Sequence, residues 1–177
     1  MKSLHKFSLV LALYIALAIS GSLSLFLHRF FLIGNATNLL VPVSMMLIAL
    51  FDDTNRKEIW LALGTGIVSD IYFFGIVGIY AISLPLICWL LQNTARFLPE
   101  VFWARVLAVL IAAILIEGYS WLILNMTGLS SVSSIKLIQS ILPTICWAFV
   151  FTSVTYKLWW NLAIKYPFMV NLDNYQQ

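Results

Sequence analysis

The chain alternates between long apolar segments and short polar ones. The first apolar segment, residues 7–27, is long enough to cross a ~30 Å hydrocarbon core at ~1.5 Å per helical residue. The second, residues 37–51, is shorter and contains Pro42. Residues 52–58 then form the most polar loop of the chain. This pattern predicts helices that cross a membrane, because a soluble domain rarely contains apolar segments of such length.

Residues 59–92 form an apolar segment that is too long for a single span. Gly75 and Gly78 lie near its middle, and glycines at this spacing supply the backbone angles that a tight turn needs. We therefore predict a hairpin of two spans, residues 59–74 and 76–92, in preference to one long helix.

Two further apolar segments complete the pattern, residues 101–124 and residues 137–158, the second interrupted by Pro143. The chain is thus predicted to be an all-α integral membrane protein with six transmembrane helices in one domain, residues 1–177. A signal peptide cleaved after Ser20 is the alternative for the first span, because a basic start and small residues accompany the apolar stretch.

Composition supports the prediction of a membrane protein, and charge predicts the orientation of the spans. Apolar residues make up 62% of the 177 residues and charged residues 10%, whereas soluble domains are roughly 45–50% apolar. Six spans place both termini on one side, and Lys and Arg in short loops mark the cytoplasmic side. That side holds Lys2, Lys6, Arg56, Lys57, Arg96, Arg105, Lys157 and Lys165, and the other holds Arg29 and Lys136. Both termini are therefore predicted to be cytoplasmic, and the dispersed charges give no indication of nucleic-acid binding.

Residues suited to catalysis or metal binding are scarce. His5 and His28 are the two histidines of the chain, both near predicted membrane edges. Cys88 and Cys146 lie inside apolar segments without Cys or His at ligand spacing, so we interpret both as buried core thiols. We expect no enzymatic activity, no cofactor and no metal site.

Two acidic residues fall inside predicted spans, Asp70 and Glu117. A carboxylate within a bilayer-spanning helix costs ~2.5–3.5 kcal/mol on insertion scales, so each needs a partner, water or a cavity. Arg29 and Lys136 are the candidate counter-charges on the outer side. For Glu117 the simpler alternative is that it reaches outer headgroups or water. For Asp70 the alternatives are helix capping or pairing inside the bundle, and a contact with a partner or ligand.

Small residues mark candidate packing faces. Ala12 and Ala16 form a small-xxx-small pattern on the first span, which lets helices approach closely. Gly66 lies one turn before Asp70 and would allow a neighbouring helix to come close there. We expect the charge of Asp70 to orient the third and fourth spans so that a partner-binding face forms.

The stretch Gly66-Ile-Val-Ser-Asp70, followed by Gly75-Ile-Val-Gly78-Ile-Tyr-Ala81, resembles the bacterial rod shape-determining MreD family. In that family a Gly-x-x-x-Asp step precedes a glycine-bearing turn into the next span, and the resemblance extends to chain length and span pattern. This chain departs from it at Phe73-Phe74, where family members often carry a longer turn of Gly, Ser or Pro.

The resemblance implies a multi-pass subunit of the cell-elongation machinery in the bacterial cytoplasmic membrane. It implies a role in cell shape and lateral peptidoglycan synthesis, with MreC as a bitopic membrane partner and with MreB, RodA and a penicillin-binding protein as indirect partners. The family is also similar in fold to the S components of energy-coupling-factor transporters. The alternative function is therefore a vitamin-binding transporter subunit, whose first span would dock the transport module through Ala12 and Ala16.

Overall fold

The computed structural model describes residues 8–30, 39–52, 55–128, 134–166 and 168, and its side-chain description excludes residues 25–30, 134 and 136. The described residues form six helices and no strand, which confirms the predicted all-α class. In chain order the helices are α1 Ser8–Phe30, α2 Leu40–Phe51, α3 Glu58–Phe73, α4 Tyr80–Ala95, α5 Phe102–Met126 and α6 Ser134–Lys165.

Each of the six predicted spans overlaps one of these helices, although several ends differ. Residues 59–92 divide into two helices joined by a turn, as the glycines predicted. The fourth helix begins at Tyr80, four residues later than expected, because Gly75 and Gly78 keep positive φ angles of 68° and 140°. The sixth helix continues through Pro143 and extends beyond residues 137–158, by three residues at its start and by seven at its end.

Two helical stretches are long and apolar enough to cross a membrane within the part of the chain that the structure describes. They are α5 and the Leu137–Lys165 part of α6. The stretches Ser8–Ser24 and Leu40–Phe51 are apolar but shorter.

The short helix α2 lies at the centre of the molecule. Residues 40–50 are all buried, and α2 contacts each of the other five helices. A helix that is apolar on every side needs apolar surroundings, either a protein core or lipid, and here the other five helices surround it. The one hydroxyl in this stretch, Ser44, is satisfied because it donates to the Leu40 carbonyl oxygen at 2.6 Å.

The first helix packs on this core through the face that contains Leu9, Leu13 and Ala16, all buried. Ala12 is partly buried and packs against the same cluster. A second close approach was missed in the sequence. A Cβ atom on Gly21 would overlap the Tyr72 ring, so α1 and α3 meet at this glycine.

Cys146 is a correction to the sequence analysis. It is exposed on α6, whereas Cys88 is buried in α4. The apolar neighbours of Cys146 in the sequence face outward with it, since Phe149 and Val150 are also exposed on this helix. In an apolar helix, neighbouring residues do not reveal which face is turned to the protein.

The hairpin of α3 and α4 has the most extensive contact of any helix pair, and Gly66 makes it possible. A Cβ atom at Gly66 would lie 2.8 Å from the Ala81 Cα and would overlap the Tyr80 carbonyl group. By contrast, Gly64 on the same helix faces open space. The two glycines therefore form a matched pair for testing the contact.

We expect Gly66→Ala to lower the free energy of unfolding by about 1–3 kcal/mol, the usual effect of forcing extra atoms into a packed contact. The obstacle is backbone, which cannot rotate away. Gly64→Ala is the control, and it should leave stability unchanged or slightly raised. Thermal unfolding of both purified variants in detergent checks this. Equal stability of the two variants would contradict the close contact.

Candidate functional site

Asp70 lies near the end of α3 and is fully buried. Its carboxylate accepts three backbone N–H groups from the start of the next helix. Gly78 N donates to Oδ2 at 2.7 Å, Tyr80 N donates to Oδ1 at 2.7 Å, and Ala81 N donates to Oδ2 at 3.0 Å. Both carboxylate oxygens are thus occupied by the N-terminus of α4.

This arrangement supplies the hydrogen-bond acceptors that the first N–H groups of α4 lack within their own helix. The first N–H groups of any helix have no partner within the helix. The N-cap residue of α4 is Ile79, whose side chain offers no acceptor. A carboxylate at this end also interacts favourably with the partial positive charge of the helix N-terminus. Asp70 therefore caps α4 from the neighbouring helix.

The backbone of Asp70 stabilises the other side of the turn. Its carbonyl oxygen accepts the N–H groups of Phe74 and Gly75, each at 2.9 Å. The turn is further tied to α5, because the Tyr119 hydroxyl donates to the Gly78 carbonyl oxygen at 3.3 Å. One residue thus holds both the end of α3 and the start of α4.

The sequence alternatives for Asp70 can now be compared with this geometry. The carboxylate is engaged in capping within the hairpin, the structural alternative. The side chains of Arg29 and Lys136, its candidate counter-charges, lie outside the described side chains. The contribution of Asp70 to a partner-binding face stays a prediction.

Glu117 on α5 is partly buried. It interacts electrostatically with Ser140 on α6 and with Tyr80 at the start of α4. Tyr80 interacts electrostatically with both Glu117 and Asp70, so the two acids lie toward the same end of the bundle. Glu117 interacts with α6, whereas the Asp70 carboxylate binds the start of α4.

A second buried polar group lies at the opposite end of the hairpin and was not predicted. Glu58 begins α3 and is fully buried, and neither carboxyl oxygen has a hydrogen-bond partner. Burial, together with the nearby Asp52 charge, raises the pKa of the Glu58 carboxyl to about 10, although Gln92 opposes the shift. The carboxyl is therefore neutral at pH 7. A Glu at the end of the most polar loop gave no signal of burial.

Gln92 on α4 forms hydrogen bonds at the same end of the hairpin as Glu58. Its Nε2 donates to the carbonyl oxygens of Asp52 at 3.4 Å and Asn55 at 3.2 Å. Asn55 in turn donates through Nδ2 to the Phe168 carbonyl oxygen at 2.8 Å.

No group of three or more His, Cys, Asp or Glu side chains among the described residues is arranged to hold a metal ion.

We expect Asp70→Asn to lower the free energy of unfolding by about 1–3 kcal/mol, the cost of leaving a buried donor without an acceptor. The amide keeps the shape of the carboxylate but has one oxygen for three N–H groups. Asp70→Leu should cost more, since it removes every acceptor. Ser69→Ala is the control, because the Ser69 hydroxyl is buried without a hydrogen bond. Thermal unfolding in detergent measures all three, and an Asp70→Asn protein as stable as Ser69→Ala would contradict the capping role.

Comparison with known proteins gives the family. The family model described as rod shape-determining protein MreD matches residues 1–166. The cell shape-determining protein MreD of Streptococcus pneumoniae (strain ATCC BAA-255 / R6) is 32% identical over 90 residues, which are 50% of this chain and 55% of that protein. The chain thus spans about half the length of the curated relative it matches. No solved structure matches it. The match over residues 1–166 shows that this chain belongs to the MreD family of rod shape-determining proteins.

Proposed function

We propose that this chain is a non-enzymatic membrane subunit of the machinery that elongates rod-shaped cells and directs lateral peptidoglycan synthesis. The observation that carries the proposal is the family match over residues 1–166. The geometry is compatible with it, since the most buried acid near the turn, Asp70, is occupied by backbone N–H groups. A carboxylate engaged in this way stabilises a surface and is not free to react with a substrate.

The proposed partner is an MreC-like bitopic membrane protein, with MreB, RodA and a penicillin-binding protein reached through it. The hairpin offers a surface for such a contact. Val68, Ile71 and Tyr72 are exposed on α3, and Ile76 and Val77 are exposed in the turn. Asp70 fixes the position of this surface because it binds the turn from the inside. A transmembrane segment of a partner would pack against it by van der Waals contact.

The proposed topology is six spans with both termini in the cytoplasm. It is supported by the uneven distribution of Lys and Arg, eight on one side and two on the other. Alkaline phosphatase folds only outside the cytoplasm, so we expect a fusion after Gln177 to be inactive and a fusion in the loop after α5 to be active. An active fusion after Gln177 would contradict the six-span topology.

The function is tested by purifying a tagged chain from the membranes of its own host and identifying co-eluting proteins and small molecules by mass spectrometry. We expect an MreC-like protein to co-elute with wild type and with Ser69→Ala. At equal abundance, Asp70→Leu should lose most of this protein and should fail to restore rod shape to cells that lack the chain.

Two results would contradict the proposal. Recovery of a transporter ATPase module or of a stoichiometric vitamin would instead support the transporter alternative. Normal rod shape in cells without the chain would exclude a role in elongation.

A further inference from the structure

Arg105 is a cation buried among aromatic rings near the start of α5. Its side chain is 8% exposed. The guanidinium carbon lies 5.0 Å from the centre of the Phe51 ring and 4.8 Å from that of the Trp160 ring. These rings belong to α2 and α6, so three helices converge on one guanidinium. Contacts between a cation and ring faces are favourable, and more so when the cation is desolvated.

The aromatic rings also contact one another and therefore hold the guanidinium in place. Tyr156 meets the Phe51 ring edge to face at 5.1 Å and the Phe102 ring at 4.9 Å. It also stacks with Trp160 at 6.5 Å. We name Phe51, Phe102, Tyr156 and Trp160 the aromatic cage.

The guanidinium has more donors than the cage satisfies. Nη1 donates to the Tyr156 hydroxyl at 3.4 Å, a long hydrogen bond. Among the described residues, no Asp or Glu forms an ion pair with Arg105. Arg105 keeps 8% of its surface exposed, so a small part of the residue remains accessible. The guanidinium is thus held by ring faces and one long hydrogen bond, and it is not completely enclosed.

A largely desolvated guanidinium that lacks an acidic partner among the described residues favours an anionic ligand, because burying an unpaired charge is costly. Its planar fork of N–H groups matches the oxygens of a phosphate. Arg105 is the fourth residue of α5, ~5 Å from its first residue along the helix axis. Next to the cage in sequence, Trp103 is exposed, and Trp at the ends of membrane helices marks the headgroup level. A phospholipid phosphate lies at this depth.

We propose that Arg105 binds the phosphate group of an anionic phospholipid, with the aromatic cage holding the guanidinium in position. On the proposed topology this lipid belongs to the cytoplasmic leaflet. Basic pockets between membrane helices on that side bind anionic headgroups. The lipid would link α2, α5 and α6 at their shared end.

The test uses the full chain, stripped of lipid in an uncharged detergent. Dioleoyl phosphatidylglycerol, dioleoyl phosphatidylcholine or inorganic phosphate is added, and binding is followed by native mass spectrometry and by the melting temperature. We expect wild type to prefer phosphatidylglycerol. Arg105→Gln should weaken its binding about five-fold, the ratio that corresponds to one basic residue near an anionic surface.

Lys157→Gln is the matched control, because Lys157 follows Tyr156 on α6 and is exposed outside the cage. It should change affinity less than two-fold. If Arg105→Gln does not fold, Arg105→Lys decides the question. The ammonium keeps the charge but lacks the fork, so phosphatidylglycerol binding should weaken at least two-fold.

Four outcomes would overturn the proposal. The first is that wild type binds both lipids with equal affinity, and the second is that Arg105→Gln and Lys157→Gln lose equal affinity for phosphatidylglycerol. The third is that Arg105→Lys binds phosphatidylglycerol as wild type does. The fourth is that inorganic phosphate raises the melting temperature as much as phosphatidylglycerol does. The last would identify a free anion as the ligand. This measurement is independent of the reporter fusions and of partner recovery, so its failure would leave the proposed function standing.

Discussion

The hydrogen bonds between the Asp70 carboxylate and the start of α4 are the interaction on which the hairpin depends. A helix that begins inside an apolar bundle exposes N–H groups where no water is present, and each unsatisfied group costs several kcal/mol. Three acceptor contacts from one carboxylate remove that cost at Gly78, Tyr80 and Ala81. The same contacts satisfy the buried charge. The acid and the helix N-terminus are therefore each tolerated in this position because of the other.

This cap has consequences for the whole bundle, because α3 and α4 are fastened at both ends. At the turn, Asp70 and the close contact at Gly66 hold the two helices together. At the other end, Gln92 binds the carbonyl groups of the loop before α3. The loop also contains Asp52, beside the buried Glu58. The hairpin can thus pack against the apolar helix α2 as one unit, which explains how a short helix is enclosed on every side.

Much of this fold could be predicted from the sequence, since the apolar segments and the glycine pair specify six helices and a turn. The burial of Asp70 followed from the cost of placing an acid in an apolar segment. Its partners could not be predicted, because backbone N–H groups eight to eleven residues away are not encoded by residue type. From charge alone, the sequence predicts that Glu58 lies in a polar loop and that Arg105 marks the cytoplasmic side. Their burial depends on contacts between helices distant in sequence, such as Arg105 with Trp160. The outward face of Cys146 was hidden for a related reason, because α6 is apolar on its exposed side as well.

Hydrogen exchange of individual backbone amides tests the capping account most directly. In an ordinary helix the first-turn amides exchange fast, since they lack partners within the helix. The internal reference is Trp103 in the first turn of α5, whose N-cap residue makes no side-chain hydrogen bond. The capping account predicts that the Tyr80 and Ala81 amides exchange as slowly as the interior amide of Leu84 and far more slowly than that of Trp103. Exchange at Tyr80 and Ala81 as fast as at Trp103 would contradict it.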